Sequence, residues 1–312
     1  MKAVVCSDLH VRSDRPRCRI DGGKLIGDIK ASEAWQTFQW TCLSFIANQA
    51  NLKDAQLICV GDIFNKVHVP DAVVNDVVTE FNRVIKVVRI LCGNHDLPGH
   101  NFKNIKDSSI GILWAMTEQQ DSKIKKIAGA GCYANFNEKT KESKTNPDIL
   151  FIHRLVFETK SEMPPNTEAT TAQELLDEYP DMKWIFVGDM HRGFHYVSKG
   201  RHVVNCGCIN KQSADELDYS PSVWFVDTDK NIIERIKMPD DSEFVDDSYL
   251  KNEKERNEKL SAFAEAIKIK KHCKHMGLSF DKNIETELEK NKKSLGEAVV
   301  SEVLELMEGV AK

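Results

Sequence analysis

The sequence has no apolar run long enough to span a bilayer, and it has no excess of basic residues. Its 43 Lys and Arg stand against 48 Asp and Glu, which gives a net charge of -5. This balance excludes a chain that is basic throughout, although it leaves room for a local basic groove. Residues 1–5 lead directly into an apolar segment without the features of a signal peptide. We therefore expect a cytoplasmic protein that has no membrane partner.

The sequence also lacks the paired cysteine spacing of a secreted disulfide framework. Its nine cysteines are an odd number and are scattered, and Cys6, Cys59 and Cys92 lie inside apolar segments. Reduced, buried thiols in a cytoplasmic protein fit this pattern. A metal or redox role is one interpretation of Cys206-Gly207-Cys208, but we favour the end of a buried strand. His272-Cys273-Lys274-His275 lacks a second ligand pair for zinc, so a solvated helix end is favoured there.

The first third of the 312 residues alternates between strand and helix patterns. Apolar, β-branched runs predict strands, and wider apolar faces predict helices. The predicted order is strand 2–7, helix 31–49, strand 56–60, helix 71–82 and strand 84–92. Such alternation is typical of α/β proteins.

The middle of the chain is richer in short strand patterns. We expect strands over 123–128, 149–152, 184–187, 194–197, 202–205 and 223–227, and a short helix over 171–179. The fold class predicted from both parts is α/β, a two-sheet mixed β-sandwich flanked by helices. Acidic residues and a proline at 238–242 mark a change in composition. We expect a main domain over 1–238 and a helical C-terminal extension over 239–312, with helices over 248–274 and 283–308.

Five polar segments follow apolar strands and carry the functional prediction. We call them the donor segments: Asp8-Leu9-His10, Gly61-Asp62, Gly93-Asn94-His95-Asp96, His153 and Gly188-Asp189-Met190-His191. Side chains at the carboxyl ends of strands in an α/β sheet meet in one crevice. Their carboxylate, amide and imidazole groups are ligands for divalent metals. The donor segments therefore predict a site for two divalent ions with Asp62 as the shared ligand, which is chemistry suited to phosphoester hydrolysis.

One imidazole in the donor segments is predicted to move a proton rather than bind metal. His95 lies beside Asn94 and could protonate the leaving alkoxide, while Asp96 could orient it through its other ring nitrogen. The alternative is that His95 only supports the structure around the site.

Taken in this order, the donor segments resemble the calcineurin-like metallophosphoesterase superfamily. Ser7-Asp8-Leu9-His10 and Gly61-Asp62-Ile63-Phe64 are most similar to its SbcD-like DNA repair nuclease branch. Stretches 16–19, 93–101, 153–156 and 213–215 resemble phage and prophage proteins described as DNA repair exonucleases. The resemblance covers residues 1 to about 228.

The resemblance implies a division of the ligands between two metal ions. One ion is expected at Asp8, His10, Asp62 and His191, and the other at Asp62, Asn94, His153 and Asp189. The superfamily usually has His where Asp189 stands. A carboxylate at this position favours Mn²⁺, with Mg²⁺ or Fe²⁺ as alternatives, over Zn²⁺.

Basic residues near the donor segments are candidates for a phosphate-binding rim. We expect Arg12, Arg17, Arg154, Arg192 and His100 to contact substrate, and Arg19 and Lys211 are further candidates. The alternative for each is ordinary surface charge, or a turn-stabilising role for His100.

The predicted function is a two-metal phosphodiesterase that acts on nucleic acid, by similarity to the SbcD-like nucleases. Its predicted partner is DNA, in repair or recombination. The resemblance also implies a homodimer or an SMC-like coiled-coil ATPase subunit as a partner. One alternative is a phosphomonoesterase or protein phosphatase with the same metal site. Another is a non-catalytic accessory protein that binds nucleic acid.

Overall fold

The computed structural model describes residues 1–16, 18–19, 31–116, 126–127, 130–134, 149–164, 167 and 169–240, with a few single positions beyond 240. The chain forms two units, Met1–Asp247 and Ser248–Lys312. The predicted boundary after residue 238 stays a prediction, and the two predicted C-terminal helices lie almost wholly outside the described residues. Within the described ranges, no helix is both long enough and apolar enough to cross a membrane.

The first sheet has five strands, three from the start of the chain and two from residues 222–237. The strands are Lys2–Cys6 (β1), Gln56–Val60 (β2), Val88–Leu91 (β3), Ser222–Asp227 (β12) and Ile232–Lys237 (β13). Their order in the sheet is β13-β12-β1-β2-β3. Strands β1, β2 and β3 are parallel, whereas β12 and β13 are antiparallel to their neighbours.

The second sheet has six strands, all from the middle of the chain. The strands are Lys126–Ile127 (β4), Ala130–Ala134 (β5), Ile149–His153 (β6), Trp184–Gly188 (β9), Phe194–Ser198 (β10) and Arg201–Asn205 (β11). Their order is β10-β11-β9-β6-β5-β4. The four central strands are parallel, and the two edge strands are antiparallel to them. Val156–Phe157 (β7) and Thr170–Thr171 (β8) form a separate two-stranded ribbon.

Alternating side chains of the strands divide the core into three layers. In β1, Val4 packs on the helix side of the first sheet, whereas Val5 packs between the two sheets. The layer between the sheets also holds Phe151 and Trp184, and a third layer covers the outer face of the second sheet. The helices are Ala31–Leu52 (α1), Asp71–Asn82 (α2), Ile110–Met116 (α3) and Ala172–Glu178 (α4). The predicted fold class, a two-sheet mixed sandwich flanked by helices, is confirmed.

Several strands differ from the predictions, and the short strands β7 and β8 were not predicted. The strand predicted over 84–92 begins only at Val88, because Val84 belongs to a turn after α2 and packs into the helix-side core. Of the strand predicted over 123–128, only positions 126 and 127 are among the described residues, and they form β4; strand β5 after it was not predicted. Strand β13 was not predicted, because it is a largely exposed edge strand whose isoleucines do not alternate with a period of two.

Candidate metal centre

Five strands drawn from both sheets end at the candidate metal centre. Asp8 and His10 follow β1, Asp62 follows β2, Asn94 and His95 follow β3, His153 ends β6, and Asp189 and His191 follow β9. The backbone N–H of His10 donates to the carbonyl of Asp62 at 3.0 Å, so the first two donor segments run side by side. Parallel strands thus bring residues that are up to 183 positions apart to one edge of the sandwich.

Four of the donor residues have a left-handed backbone conformation. The φ angles are +51° at Asp8, +45° at His10, +50° at Asp62 and +90° at Asp189. Residues other than glycine adopt this backbone conformation at a cost in free energy, and such strained residues cluster at functional sites. The conformation turns the chain sharply at each strand end.

Two glycines create the space in which the donors meet. Gly61 has φ +92°, and a Cβ atom there would overlap the imidazole of His153. A Cβ atom at Gly93 would overlap the carboxylate of Asp62. Glycine is therefore required at both positions for β2, β3 and β6 to end so close together.

The donors expected for one metal ion lie together. Asp8, His10 and His191 each offer a ligand atom, and these atoms lie within 4.8 Å of one another. The Nε2 atoms of His10 and His191 are 3.1 Å apart. From His10 Nε2 to the carboxylate of Asp62 the distance is 3.8 Å. The structure thus brings together all four residues of the first predicted ligand set.

The donors expected for the other metal ion lie together in part. His153 Nε2 is 3.1 Å from Asn94 Oδ1 and 3.4 Å from Asp62 Oδ2. Asp189 lies beside them, and its backbone N–H donates to the carboxylate of Asp8 at 3.0 Å. Asp189, however, belongs to none of the groups of Asp, Glu, His or Cys side chains among the described residues whose ligand atoms lie within 4.8 Å of one another. Its role as a ligand stays a prediction.

The hydrogen bonds of the His153 imidazole leave a lone pair that could bind a cation. His153 Nδ1 donates to the carbonyl of Val60 at 2.7 Å, so in the neutral ring Nε2 carries a lone pair. That lone pair faces the oxygens of Asp62 and Asn94, which are also acceptors. Acceptors that face one another in the interior are costly unless a proton or a metal ion lies among them. The donor set therefore fits divalent metal ions.

The electrostatics of the site also favour positive charge. Burial opposes the charging of His153, but the carboxylate of Asp62 outweighs it and raises the pKa of His153 to about 10. Burial likewise opposes charge on His191, yet its bond to Glu216 and the charge of Asp8 raise its pKa to about 9. Burial lowers the pKa of His10 to about 3 and raises the pKa of Asp8. Carboxylates near His153 and His191 thus favour positive charge at these two imidazoles, whereas burial is the largest cause of the shifts at His10 and Asp8.

Asp96 does not orient His95, and that prediction is wrong. The buried Asp96 carboxylate accepts from the backbone N–H groups of Phe64 and Gly93, both at 2.9 Å, and of Ile63 at 3.3 Å. His95 Nδ1 instead lies 2.9 Å from the carbonyl of Asn65. Three backbone donors outcompete one imidazole for a buried carboxylate, so Asp96 holds the turns after β2 and β3 in place.

The sequence also matches a known protein family over the region that holds the donor segments. The family model for calcineurin-like phosphoesterases matches residues 1–193, which span every donor segment. The chain belongs to the calcineurin-like phosphoesterase family. This family depends on a dinuclear metal centre, so the protein is a metal-dependent phosphoesterase. No curated protein sequence matches the chain.

Solved structures similar to this calcineurin-like phosphoesterase share little sequence with it. An archaeal phosphodiesterase is 13% identical, with a TM-score of 0.38, over 76% of this chain and 100% of the other. The Thermus thermophilus protein TT1561 is 9% identical, with a TM-score of 0.44, over 76% and 98%. A putative 5'-nucleotidase from Staphylococcus aureus is 15% identical, with a TM-score of 0.44, over 78% and 55%.

The arginines predicted to bind substrate are paired with acceptors. Arg12 bonds to Asp14 at 2.5 Å, and Arg154 bonds to Glu178 and to the hydroxyl of Thr170, each at 2.8 Å. Arg192 donates to the carboxylate of Asp218 at 2.6 Å and to the carbonyl of Asp215 at 2.5 Å. His100 is exposed, and Arg17 lies outside the described residues. The substrate roles of these residues stay predictions.

Arg19 and Lys211 do not form part of a phosphate-binding rim, because both are buried. Arg19 donates twice to the carbonyl of Lys211, at 2.7 and 3.1 Å, and its guanidinium lies over the ring of Trp35. The ammonium of Lys211 donates to the hydroxyl of Ser242 at 3.0 Å. Arg19 and Lys211 are 192 positions apart in the sequence, so no local sequence pattern predicts their contact.

One residue at the site, Glu216, was not predicted from the sequence. Glu216 bonds to His191 Nδ1 at 2.5 Å and lies in a group with His191 and Cys208. Its signal in the sequence is Ser213-x-x-Glu216, the pattern of a helix capping box, which predicts a local structural role only. Cys206 and Cys208 are both buried just after β11, where a strand end was expected. The segment 272–275 lies outside the described residues.

Proposed function

We propose that this phosphoesterase is a nuclease that hydrolyses DNA phosphodiesters with two divalent ions, of which Mn²⁺ is the preferred one. The observation that carries the proposal is the convergence of the first ligand set with an exposed imidazole, His95, beside it. The choice of nucleic acid rests on the resemblance of the donor segments to the SbcD-like nucleases. Arg154 and Arg192 each follow a donor residue in the sequence. They support the choice of nucleic acid, because arginines bind the phosphates of its backbone.

The ligand residues would hold the metals as the resemblance implies. Asp8, His10, Asp62 and His191 would hold one ion, and Asp62, Asn94, His153 and Asp189 the other. Two ions at these positions supply an activated water molecule and neutralise the charge on the phosphoryl oxygens.

His95 is proposed to protonate the leaving group. Its Nδ1–H points to the carbonyl of Asn65, and its backbone N–H donates to Asp62 Oδ1 at 2.9 Å. These two contacts fix the ring beside His10, with 4.9 Å between ring centroids. The remaining atom, Nε2, is available to carry a second proton. In its protonated form, His95 would donate that proton to the leaving alkoxide of the scissile ester.

A substrate panel tests the choice of nucleic acid. The protein is incubated with linear duplex DNA, single-stranded DNA, p-nitrophenyl phosphate and bis(p-nitrophenyl) phosphate, each with Mn²⁺, Mg²⁺, Zn²⁺ or EDTA. We expect cleavage of DNA and of the diester, fastest with Mn²⁺ and absent in EDTA. Intact DNA beside hydrolysed p-nitrophenyl phosphate would establish a phosphomonoesterase and overturn the nuclease proposal.

The same assays test the role of His95. A DNA alkoxide is a poor leaving group that needs a proton, whereas p-nitrophenolate leaves without one. His95→Ala should therefore slow DNA cleavage by about 10²- to 10⁴-fold and slow bis(p-nitrophenyl) phosphate hydrolysis far less. An equal loss on both substrates would show that His95 acts on binding or structure.

The proposed partners are DNA, a second copy of the chain and an SMC-like ATPase subunit. Light scattering of the full chain tests the homodimer, which predicts twice the mass of 35.4 kDa.

A further inference from the structure

We propose that Glu216 is a positioning residue that holds His191 in the tautomer and orientation in which its Nε2 binds metal. The inference rests on the proposed function, because it takes His191 to be a ligand. Glu216 lies outside the donor segments, in a 3₁₀ turn at Ala214–Glu216, 25 positions after His191.

Both oxygens of the Glu216 carboxylate are engaged. Oε1 accepts from His191 Nδ1 at 2.5 Å. Oε2 accepts from the backbone N–H of Gln212 at 2.7 Å and from that of Ser213 at 3.4 Å. The side chain is only 4% exposed. A carboxylate that is buried and held at both ends fixes the ring it contacts.

The chain around His191 is bound to the same segment as Glu216. The backbone N–H of Cys208 donates to the carbonyl of His191 at 2.9 Å. Arg192 donates to the carbonyl of Asp215, and the N–H of Gly193 donates to the hydroxyl of Tyr219 at 3.1 Å. Residues 191–193 therefore rest on the segment 208–219, and Glu216 is the part of that segment that touches the imidazole.

The contact determines which nitrogen of His191 is free for metal. Because the carboxylate accepts from Nδ1–H, Nε2 of the neutral ring carries the lone pair, and it points to His10 Nε2 at 3.1 Å. His153 has the same tautomer, but there a neutral carbonyl, that of Val60, is the acceptor. Glu216 therefore adds a negative charge behind one ligand only, which makes that imidazole a stronger donor.

A capping role alone does not account for the geometry. The capping contacts to Gln212 and Ser213 use Oε2, whereas Oε1 is directed to His191. The site presents three N–H donors to one side chain, and only a carboxylate accepts all of them. A glutamine at 216 would direct its NH₂ group either at the two backbone N–H groups or at His191 Nδ1. In the latter case it would favour the tautomer that has a proton on Nε2.

The test is Mn²⁺ binding to the full chain by isothermal titration calorimetry, in wild type, Glu216→Gln and Glu216→Asp. We expect Glu216→Gln to weaken one of two Mn²⁺ sites by about 10- to 100-fold and to leave the other near the wild-type value. Glu216→Asp keeps the charge but shortens the side chain, so it should weaken the same site less. Asp215→Asn is the matched control, since it removes an exposed carboxylate from the same turn and should change neither site.

Thermal melting in EDTA separates positioning from a structural role. If Glu216 only caps the turn, Glu216→Gln should lower the melting temperature in EDTA while both Mn²⁺ sites keep their affinities, which would overturn the proposal. If Glu216→Gln does not fold, the affinities of Glu216→Asp decide, because unchanged binding there also overturns it. A wild-type chain that binds no Mn²⁺ contradicts the proposed function itself. Normal Mn²⁺ binding and hydrolysis in Glu216→Gln contradicts only the role of Glu216.

Discussion

At the scale of single residues, the metal centre depends on positions where the backbone is strained and the packing is tight. Asp8, His10, Asp62 and Asp189 all have positive φ angles, which cost about 1–3 kcal/mol each. The surrounding hydrogen bonds hold them there, as in the bond from the N–H of His10 to the carbonyl of Asp62. The site is therefore formed by the short segments directly after the strands, and hydrogen bonds between these segments fix their shape.

Gly93 offers a direct test of this tight packing. In Gly93→Ala the added methyl group would overlap Asp62 Oδ1, so the carboxylate expected to bridge both metals must move. We expect a loss of about 1–3 kcal/mol of stability from overpacking and a loss of Mn²⁺-dependent activity. Denaturant unfolding and the diester assay measure the two effects.

The control for Gly93 is Gly200→Ala. Gly200 has φ +74° and open space around its Cα atom, so alanine there introduces strain without touching a donor. It should lower stability while Mn²⁺-dependent activity is kept. If Gly93→Ala keeps full activity as well, Asp62 does not need the position that the structure gives it.

At the scale of secondary-structure elements, helix α4 is stabilised by its own first turn. Thr171 accepts a hydrogen bond from the N–H of Glu174, and Glu174 accepts one from the N–H of Thr171 at 2.8 Å. Buried Leu175 and Leu176 on the same helix pack against the outer face of the second sheet. The helix is thus set by a local cap and a short apolar face.

Removal of this cap should reduce stability without reaching the metal centre. Thr171→Ala is expected to cost about 1 kcal/mol, since it leaves an N–H of the first turn without its partner. Thr171→Ser keeps the hydroxyl and should stay close to wild type. Melting curves measure the stability, and Mn²⁺-dependent hydrolysis should be unchanged in both variants. A wild-type melting temperature for Thr171→Ala would show that the cap adds nothing.

Strands β10 and β11 carry a second histidine pair, and it predicts a pH dependence. His202 stacks on Trp184 with 3.9 Å between ring centroids, and its Nδ1 lies 3.0 Å from His195 Nε2. Burial, with the nearby His195 and Lys183, lowers the pKa of His202 to about 4, and burial also lowers the pKa of His195. The folded protein therefore resists protonation that the unfolded chain accepts near pH 6.5.

The sign of the effect follows from linkage. The stability due to neutral His202 is fully present above pH 6.5 and is lost as the pH falls toward 4, because the unfolded chain binds the proton first. His202→Gln should make the free energy of unfolding less dependent on pH in this window. Denaturant titrations of wild type and variant at several pH values measure it. Parallel curves for the two proteins would mean that His202 titrates normally in the folded state.

At the scale of the whole molecule, metal binding and folding are coupled. The ligand groups come from five strands in two sheets, so the site does not exist in the unfolded chain. Without a cation, burial and the repulsion from the carboxylate of Asp62 both raise the pKa of Asp8. A ligand that binds only the folded state must therefore stabilise the whole sandwich.

At each of the two proposed sites, Mn²⁺ at 100 times its dissociation constant should add about 2.7 kcal/mol, and each site should raise the melting temperature by about 5–10 °C for a unit of this size. EDTA should reverse the rise. Asp62→Asn should lose the response to Mn²⁺, and in EDTA it should be less stable than wild type, because it removes the carboxylate that pairs with the buried His153. A melting temperature that does not change with Mn²⁺ in the wild-type chain would contradict a metal site at this position.

Local chemistry made much of this protein predictable. Apolar, β-branched runs marked most of the buried strands, and the polar residues directly after them marked the donor segments. Parallel strands bring their carboxyl ends to one edge, so the meeting of Asp8 and Asp62 follows from the strand pattern, whereas His153 joins them from the other sheet. The exposed edge strand β13 lacked such a pattern and was missed.

Only the tertiary structure decided how the groups around the donors are partnered. Asp96 accepts hydrogen bonds from backbone N–H groups 32 and 33 positions away. Glu216 accepts one from His191, 25 positions away, and Arg19 donates to the carbonyl of Lys211, 192 positions away. A strand or a donor segment is recognised from neighbours in sequence, because its period and its burial are local properties. A hydrogen-bond partner is chosen by competition among all groups that folding brings within about 3 Å, and that competition has no local pattern.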